Sequence, residues 1–188
     1  MKMLEVVEFS PSFSRMSAAT IDFAIKHGAA KVDKFLSKES VRNLRENRLA
    51  AIPSIMVSRV PEMEEYYRLL GVDDSSFIKL SVSKLDIPPR GFEIHTDGVA
   101  ANGLTLLMPI EGKKAIFGAS NTDFRASDMP GYVVEYGQRD AILLRQRVTV
   151  FDGVQVDYKQ TWHEGYSGEQ RQLAAVDFMH EEITVNRS

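Results

Sequence analysis

The feature that most constrains the fold is a change of pattern near residue 77. From there to about residue 180, short runs of β-branched and aromatic residues alternate with turn residues, and no long amphipathic helix is evident. About eight such runs in about a hundred residues are typical of a sandwich or barrel rather than a parallel α/β sheet. The predicted strands are 77–85, 92–97, 104–110, 114–118, 132–136, 141–151, 154–162 and 171–178.

The segment before residue 77 has a helical pattern instead. Apolar residues recur there at helical spacing, and serine, proline and glycine stand where helices begin or end. Ser37 is an expected N-cap, because its hydroxyl can accept a hydrogen bond from a free backbone amide. The predicted elements are helices over 18–27, 38–45 and 62–70, and a short strand over 32–36.

The predicted architecture is therefore mainly β with N-terminal helices. We expect one domain, 1–188, in which a helical support region, 1–76, precedes a β-barrel core, 77–180. The stretch 119–130 is the longest irregular loop, and long loops on β scaffolds often cover a site.

Composition excludes several classes of function. The chain has no cysteine, so disulfides, thiolate metal sites and cysteine nucleophiles are ruled out. A net charge of −3 supplies no general field for nucleic acid or an anionic membrane. No apolar run reaches the length of a signal peptide core or a membrane span. We expect a cytoplasmic protein with no nucleic-acid or membrane partner, and the oligomeric state is left open.

The stretch FEIHTDG, residues 92–98, holds a candidate pair of metal ligands. Residues i and i+2 of an extended chain project from the same face, so His95 and Asp97 lie side by side. Alone, the pair is better explained by an exposed strand-end histidine beside an Asp-Gly turn. His163 follows a later strand-like run and is the candidate third ligand, its alternative being a packed core histidine. Two imidazoles and one carboxylate form the facial triad of mononuclear non-haem Fe(II).

Arg171 stands eight residues beyond His163, at the start of the last predicted strand. A guanidinium presents a planar, bidentate fork to a carboxylate, which the point charge of a lysine does not. The alternative for Arg171 is a surface position, which is the position expected for Arg145 and Arg147.

The order HxD, distant His, then Arg resembles that of the Fe(II)- and 2-oxoglutarate-dependent oxygenases, whose fold is a double-stranded β-helix, a jelly-roll or cupin-like barrel. The stretches VDKFLSKESVRNL (32–44) and WHEGYSGEQRQLAAVDF (162–178) look like the prolyl-hydroxylase-like branch of that family. The resemblance implies that His95, Asp97 and His163 bind Fe(II) and that Arg171 binds the distal carboxylate of 2-oxoglutarate.

The activity implied by this resemblance is hydroxylation of a C–H bond, with O₂ and 2-oxoglutarate consumed and succinate and CO₂ released. An amino acid, a small metabolite or a protein side chain is the expected substrate. No catalytic residue is expected beyond the metal ligands. Halogenating relatives lack the carboxylate ligand, whereas this chain retains Asp97, so hydroxylation is the expected outcome.

Several further residues are candidates for ligand binding. They are Lys79, Ser81 and Thr105 for the cosubstrate, and Asn121, Asp123, Arg125 and Trp162 for the substrate. Solvent exposure explains the cosubstrate candidates equally well and the loop candidates over 121–125 better, and core packing explains Trp162 better.

Two other functions stay open at this point. One is a non-catalytic jelly-roll or cupin-like ligand-binding module, and the other is a cupin metalloenzyme that does not use 2-oxoglutarate. The first predicts no 2-oxoglutarate binding, and the second predicts that Arg171 is dispensable.

Overall fold

The computed structural model describes the greater part of the chain. The described ranges are 12–57, 78–89, 92–97, 102–111, 115–120, 131–151, 154–166 and 169–180. The predicted helix over 62–70 lies outside these ranges, as does most of the predicted loop over 119–130.

The helices of the described chain all lie before residue 58. They are α1 Ala18–His27, α2 Lys38–Asn47 and α3 Ile52–Val57, and a 3₁₀ turn, Arg48–Ala51, joins the last two. α1 begins after Ser17, whose hydroxyl accepts a hydrogen bond from the Thr20 amide at 3.3 Å, and ends at Gly28, where φ is 101°. Ser37 caps α2 as predicted, accepting from the Ser40 amide at 2.9 Å. None of these helices has the length and apolar character needed to cross a membrane.

The described strands form two large sheets and one small pair. In chain order they are β1 Ser12–Phe13, β2 Ala29–Val32, β3 Ile78–Ile87, β4 Phe92–His95, β5 Asn102–Glu111, β6 Ala115–Ser120, β7 Gly131–Tyr136, β8 Ala141–Arg145, β9 Val148–Phe151, β10 Gln155–Tyr158, β11 Trp162–Tyr166 and β12 Arg171–His180. The six-stranded sheet has the order β1-β2-β8-β5-β12-β3, the four-stranded sheet has the order β4-β11-β6-β7, and β9 pairs with β10.

The two large sheets pack face to face. Their inner faces share one hydrophobic cluster, in which Leu107, Ile142 and Leu173 of the six-stranded sheet meet Phe117 and Val134 of the four-stranded sheet. Among the described strands, no hydrogen-bonded pair joins the two sheets, so the barrel is a two-layer jelly roll rather than a closed cylinder. The predicted fold class is confirmed.

The helices cover the opposite face of the six-stranded sheet. Ile21 of α1 and Leu44 of α2 are buried in one cluster with Leu106 and Met108 of β5 and Val176 of β12. Both β5 and β12 are therefore buried on two faces, which explains their nearly continuous apolar sequences. The proposed boundary between 1–76 and 77–180 stays a prediction.

Two of the predicted strands are divided in the structure. The run 141–151 contains β8 and β9, which are separated at Gln146, and the run 154–162 contains β10 and only the first residue of β11. In the second case the chain passes into the four-stranded sheet, to which β11 belongs. Hydrophobic alternation does not reveal such a change, because the chain remains extended on both sides of it.

The strand predicted over 32–36 lies earlier, as β2. The chain turns directly after it, because Lys34 has a φ of 53° and donates its amide to the Asp140 side chain at 3.0 Å. Phe35 and Leu36 are then buried as core residues outside any strand.

Arg145 is buried, so the expectation of a surface position is wrong. It is 3% exposed, and its Nη1 donates to the carbonyl of Ile25 in the last turn of α1. Its Nε donates to the carbonyl of Lys159 at 2.9 Å, and the guanidinium lies 5.4 Å from the centre of the Tyr158 ring. A cation at this end of a helix complements the dipole and the free carbonyls there. Arg145 thus holds α1 against the segment that leads into β11.

We expect Arg145→Met to lower the free energy of unfolding by about 1–3 kcal/mol, because two backbone carbonyls lose their donor. Arg147 is exposed, and Arg147→Met is the matched control, with an expected change within about 0.5 kcal/mol. Urea denaturation followed by circular dichroism measures both. Equal stability of the two variants would contradict the assigned role of Arg145.

Candidate metal centre

The two candidate histidine ligands are brought together by antiparallel pairing of β4 and β11. His95 and His163 are directly opposite each other in the register, and their ring centres are 4.5 Å apart. On the other side of β11, His163 is paired with Ala119 of β6. Side chains at directly opposed positions of neighbouring strands project from the same face of a sheet. The two imidazoles therefore meet on the inner face of the four-stranded sheet.

Asp97 completes the cluster two residues beyond His95. Its Oδ1 lies 3.4 Å from Nε2 of His163 and 3.8 Å from Nε2 of His95. One donor atom from each of the three residues lies within 4.8 Å of the others. Nitrogen and oxygen ligands bind a divalent transition metal at about 2.0–2.2 Å, so donors that share one ion are separated by roughly 3–4 Å. The arrangement fits a single ion with small side-chain adjustments.

His163 is oriented by a backbone carbonyl. Its Nδ1 lies 3.2 Å from the carbonyl oxygen of Thr161, and a carbonyl can only accept, so Nδ1 carries the proton. Nε2 faces Asp97 and His95 and is the ring atom that can bind an ion. The Thr161 hydroxyl donates to the carbonyl of Gly28 at 2.9 Å, which fixes this segment against the end of α1.

The two oxygens of Asp97 have different surroundings. Oδ1 faces the imidazoles, whereas Oδ2 accepts a hydrogen bond of 2.6 Å from the side-chain amide of Gln146. Burial would raise the pKa of the Asp97 carboxyl, but hydrogen bonding and charge from His163, with help from Gln146 and His95, hold that pKa below its usual value. Asp97 is therefore ionised at neutral pH and presents one oxygen to an ion.

The hydrogen bonds continue from Gln146 to the last strand. The same Gln146 amide nitrogen lies 2.9 Å from the hydroxyl of Thr105, and that hydroxyl donates to Oδ1 of Asp177 at 2.6 Å. Thr105 and Asp177 are directly opposite each other on β5 and β12. Burial raises the pKa of the Asp177 carboxyl, and the charge of Asp97 adds to this, against the hydrogen bond from Thr105. A chain of three hydrogen bonds thus links the carboxylates of Asp97 and Asp177.

Arg171 is a buried cation at the other end of β12. It is 2% exposed, its Nη1 donates to the hydroxyl of Tyr136, and its guanidinium carbon lies 5.7 Å from the centre of that ring. Within the described part of the chain it has no carboxylate partner, and its buried Nε has no hydrogen-bond acceptor. A buried guanidinium with an unsatisfied N–H is costly unless an anion binds to it. The residues present therefore fit a carboxylate ligand.

An aromatic layer separates the three-ligand cluster from Arg171. The Phe117 ring is stacked against His163 with the ring centres 5.8 Å apart, and it meets Tyr136 edge-on at 6.4 Å. Burial raises the pKa of the Tyr136 phenol, although Arg171 opposes this shift, so the hydroxyl remains protonated. The Tyr136 hydroxyl accepts a hydrogen bond from Arg171, and no described residue accepts the proton of this hydroxyl. The phenol is therefore a second donor for an anion.

Exposure decreases from the cluster to Arg171. The side chains of His95 and Asp97 are 38% and 29% exposed, whereas that of His163 is 8% exposed. The site therefore opens to solvent at His95 and Asp97 and is closed at Arg171.

The other predicted site residues have mixed outcomes. Thr105 is buried and belongs to the hydrogen-bond chain. Trp162 is half-buried, and because it is adjacent to His163 in β11, strand alternation places its side chain on the opposite face of the sheet. Lys79 and Ser81 belong to β3, opposite Met179 and Asp177, but their side chains are outside what the structure describes. Three candidates, Asn121, Asp123 and Arg125, lie outside the described residues. The ligand-binding roles of all seven candidates stay predictions, including those of Lys79, Ser81, Thr105 and Trp162.

Sequence analysis missed Tyr136, Gln146 and Asp177. Asp177 shares strand parity with Arg171 and interrupts an otherwise apolar inner face, and that signal was available. Tyr136 is the last residue of its strand, and nothing in its sequence relates it to Arg171. Nothing in the sequence pattern indicated a role for Gln146 in the site, because it lies at the break between β8 and β9, inside a run that was predicted to be one strand.

Comparison with known proteins supports the fold. No protein-family model matches the sequence, and no curated protein matches it. A prolyl-4-hydroxylase from Pseudomonas putida aligns with a TM-score of 0.58 and 12% identity over 87% of this chain and 98% of its own. The viral collagen prolyl hydroxylase of Paramecium Bursaria Chlorella virus-1, solved as its 2OG complex, aligns with a TM-score of 0.54 and 16% identity over 82% of this chain and 96% of its own.

A prolyl 4-hydroxylase from Phytophthora capsici aligns with a TM-score of 0.53 and 11% identity over 89% of this chain and 64% of its own. At these identities the likeness concerns the fold alone. The chain has the jelly-roll fold of the prolyl hydroxylases, with a His-Asp-His cluster inside it.

We expect Gln146→Ala to weaken metal binding about 10–100-fold, since Oδ2 of Asp97 loses the donor that orients it. The measurement is a titration of metal-free protein with Co(II), followed by absorption spectroscopy. Gln155→Ala is the matched control, because Gln155 is exposed on β10, and the hydrogen bonds of its side chain within the described residues are to Asp157. Unchanged Co(II) affinity in a folded Gln146 variant would show that Asp97 needs no such support.

Proposed function

We propose that the protein is an Fe(II)- and 2-oxoglutarate-dependent dioxygenase that hydroxylates a C–H bond of an amino acid, a small metabolite or a protein side chain. The observation that carries the proposal is the pairing of two features inside one barrel. His95, Asp97 and His163 converge on a point that a single ion can occupy, and the buried guanidinium of Arg171 has a donor that no described residue accepts.

The three-ligand cluster suits Fe(II). Two neutral imidazoles and one carboxylate on one side of an ion leave its remaining positions open, as mononuclear oxygenases require. With 2-oxoglutarate and O₂, bound iron supplies the oxidation, with release of succinate and CO₂. The chain contributes a fixed His163 tautomer, set by the Thr161 carbonyl, and a single coordinating oxygen of Asp97, set by Gln146.

The closed end of the barrel suits the far carboxylate of 2-oxoglutarate. Arg171 has an unsatisfied Nε–H, and the phenol of Tyr136 beside it has a proton that no described residue accepts, so both groups are available to donate to an anion. Phe117 provides an apolar wall between this pair and His163, which matches the methylene groups of the cosubstrate. Burial at 2% exposure keeps water from competing for the guanidinium.

The expected partners follow from the same site. A small-molecule or amino-acid-like substrate would enter at the exposed end, beside His95 and Asp97. A cytoplasmic location and the absence of nucleic-acid and membrane partners remain part of the proposal, on the charge and composition of the chain.

The direct test is anaerobic titration of metal-free protein with Fe(II) and then with 2-oxoglutarate. We expect a visible charge-transfer band in the wild type and none in His163→Ala, because bidentate binding of the cosubstrate to iron at these ligands produces the band. His27→Ala is the matched control and should retain it, since His27 lies on α1 against Phe23, outside the cluster. A folded wild-type protein without the band would favour a binding module or a cupin metalloenzyme with another metal.

A second test separates the carboxylate pocket from the metal site. Arg171→Met should raise the 2-oxoglutarate concentration at half-saturation of the band about 10–100-fold, and Tyr136→Phe about tenfold, because each removes a hydrogen bond to a buried charge. Fe(II) affinity in the absence of 2-oxoglutarate should be unchanged in both variants, and Arg147→Met should behave as the wild type. Wild-type 2-oxoglutarate affinity in Arg171→Met would remove Arg171 from the cosubstrate site.

A further inference from the structure

The inner face of β12 carries opposite charges at Arg171, its first residue, and at Asp177, three residues before its last. Residues 171, 173, 175 and 177 share this face; Leu173 and Ala175 belong to the cluster between the sheets, whereas Arg171 and Asp177 are the charged members. Five residues of extended chain lie between the two, which corresponds to six steps, or about 20 Å along the strand. Arg171 is accounted for by the cosubstrate, and Asp177 is not.

Among the side chains that the structure describes, none supplies Asp177 with a counter-charge. Oδ1 accepts the hydrogen bond from Thr105, and in the described part of the chain no cation or further donor contacts the carboxylate. Asp177 is half-buried, so solvent reaches it only in part. A carboxylate in such a place is destabilised by burial unless a cation or a strong donor binds to it.

The position of Asp177 is on the substrate side of the proposed iron site. Tyr136 and Phe117 connect Arg171 to His163 on one side of the cluster, while Gln146 and Thr105 connect Asp97 to Asp177 on the other. The cosubstrate occupies the first side in the proposed function, so a substrate is left the second. Exposure agrees, because His95 and Asp97 are the solvent-facing ligands.

We propose that Asp177 is the group that recognises the substrate, and that the substrate is a small molecule bearing an ammonium group, such as a free amino acid or a primary amine. The carboxylate binds this ammonium through its open oxygen while the other oxygen remains on Thr105. This inference rests on the proposed function and adds the substrate class to it.

The hydrogen-bond chain also sets the size of the substrate. Three hydrogen bonds of 2.6, 2.9 and 2.6 Å join Asp177 to Asp97, so the two carboxylates are no further apart than the length of that chain. When the ammonium of a substrate is bound at Asp177, the substrate carbon atoms that reach the metal ligands are therefore only a few bonds away from its nitrogen. Hydroxylation is expected close to the nitrogen, on a β or γ carbon rather than at the end of a long chain.

A purely structural role for Asp177 is the competing explanation, in which it only holds Thr105 and, through it, Gln146. Asp177→Asn separates the two. The asparagine amide has the same shape, and its oxygen still accepts from Thr105, but it lacks the charge that would attract an ammonium. Asp86→Asn is the matched control, because Asp86 is exposed on the neighbouring strand β3 and accepts a hydrogen bond from Gln172.

The experiment uses full-length protein with Fe(II) and 2-oxoglutarate and measures succinate release. The probes are free amino acids and small primary amines, each beside its N-acetyl derivative, which has no positive charge. We expect at least one free amine to stimulate succinate release and its N-acetyl partner to fail. In Asp177→Asn the amine concentration at half-maximal rate should rise about tenfold or more. The charge-transfer band and its 2-oxoglutarate dependence should be unchanged, and Asp86→Asn should match the wild type.

Each remaining outcome overturns the inference. Equal stimulation by N-acetyl derivatives, or no stimulation by any amine in protein that shows the band, would exclude an ammonium-bearing substrate. A weaker band in Asp177→Asn, with amine dependence unchanged, would assign Asp177 to support of the metal ligands. Absence of the band from the wild type would remove the proposed function itself, a failure that is distinguishable because it precedes any addition of amine.

Discussion

The site depends on the register of β11. This strand is paired with β4 on one side and β6 on the other, and these pairings place His163 opposite His95 and Ala119. Because side chains alternate along a strand, a slip of one residue would turn His163 out of the barrel and bring Trp162 or Glu164 inward. The slip would also take Nδ1 away from the Thr161 carbonyl that sets the tautomer. The pairings of β11 with β4 and with β6, together with the hydrogen bond to the Thr161 carbonyl, therefore fix the position of the His163 imidazole. The small side chain of Ala119 leaves room beside it.

β12 contributes the second constraint. It is hydrogen-bonded along its length to β3 and β5, and both its faces are buried, so neither its register nor its orientation can change without loss of core packing on two sides. Such a strand can hold charged side chains at its ends while apolar ones fill its middle. Arg171 and Asp177 owe their fixed positions to this apolar middle, in which Leu173 and Ala175 pack between the sheets.

The fold and the three residues of the His-Asp-His cluster were accessible from the sequence, whereas the groups that contact the cluster were not. His95 and Asp97 are two residues apart on one strand, so strand alternation alone places them together. His163 and Arg171 were found through their resemblance to a family pattern, since no local rule relates residues on separate strands. Gln146 lies at a break between strands, where hydrophobic periodicity is silent. Arg145 was misjudged for a related reason: its burial depends on carbonyls of Ile25 and Lys159, which only the tertiary structure brings to it.

The charges of the site have a consequence for the order of its ligands. Among the described residues, the buried Arg171 has no anionic partner and the half-buried Asp177 has no cationic one, so each end is destabilised until a ligand of opposite charge binds. Because Arg171 is the more deeply buried and lies at the closed end, its ligand must enter past the cluster, before anything occupies the mouth at His95 and Asp97. Under the proposed function and the proposed role of Asp177, a dicarboxylate cosubstrate would therefore bind first and an ammonium-bearing substrate second. The reverse placement would set an ammonium against the guanidinium and a carboxylate against Asp97 and Asp177, where like charges repel. The positive charge of Arg171 at one end and the negative charges of Asp97 and Asp177 at the other thus both attract the proper ligand to each end and repel the other ligand from it.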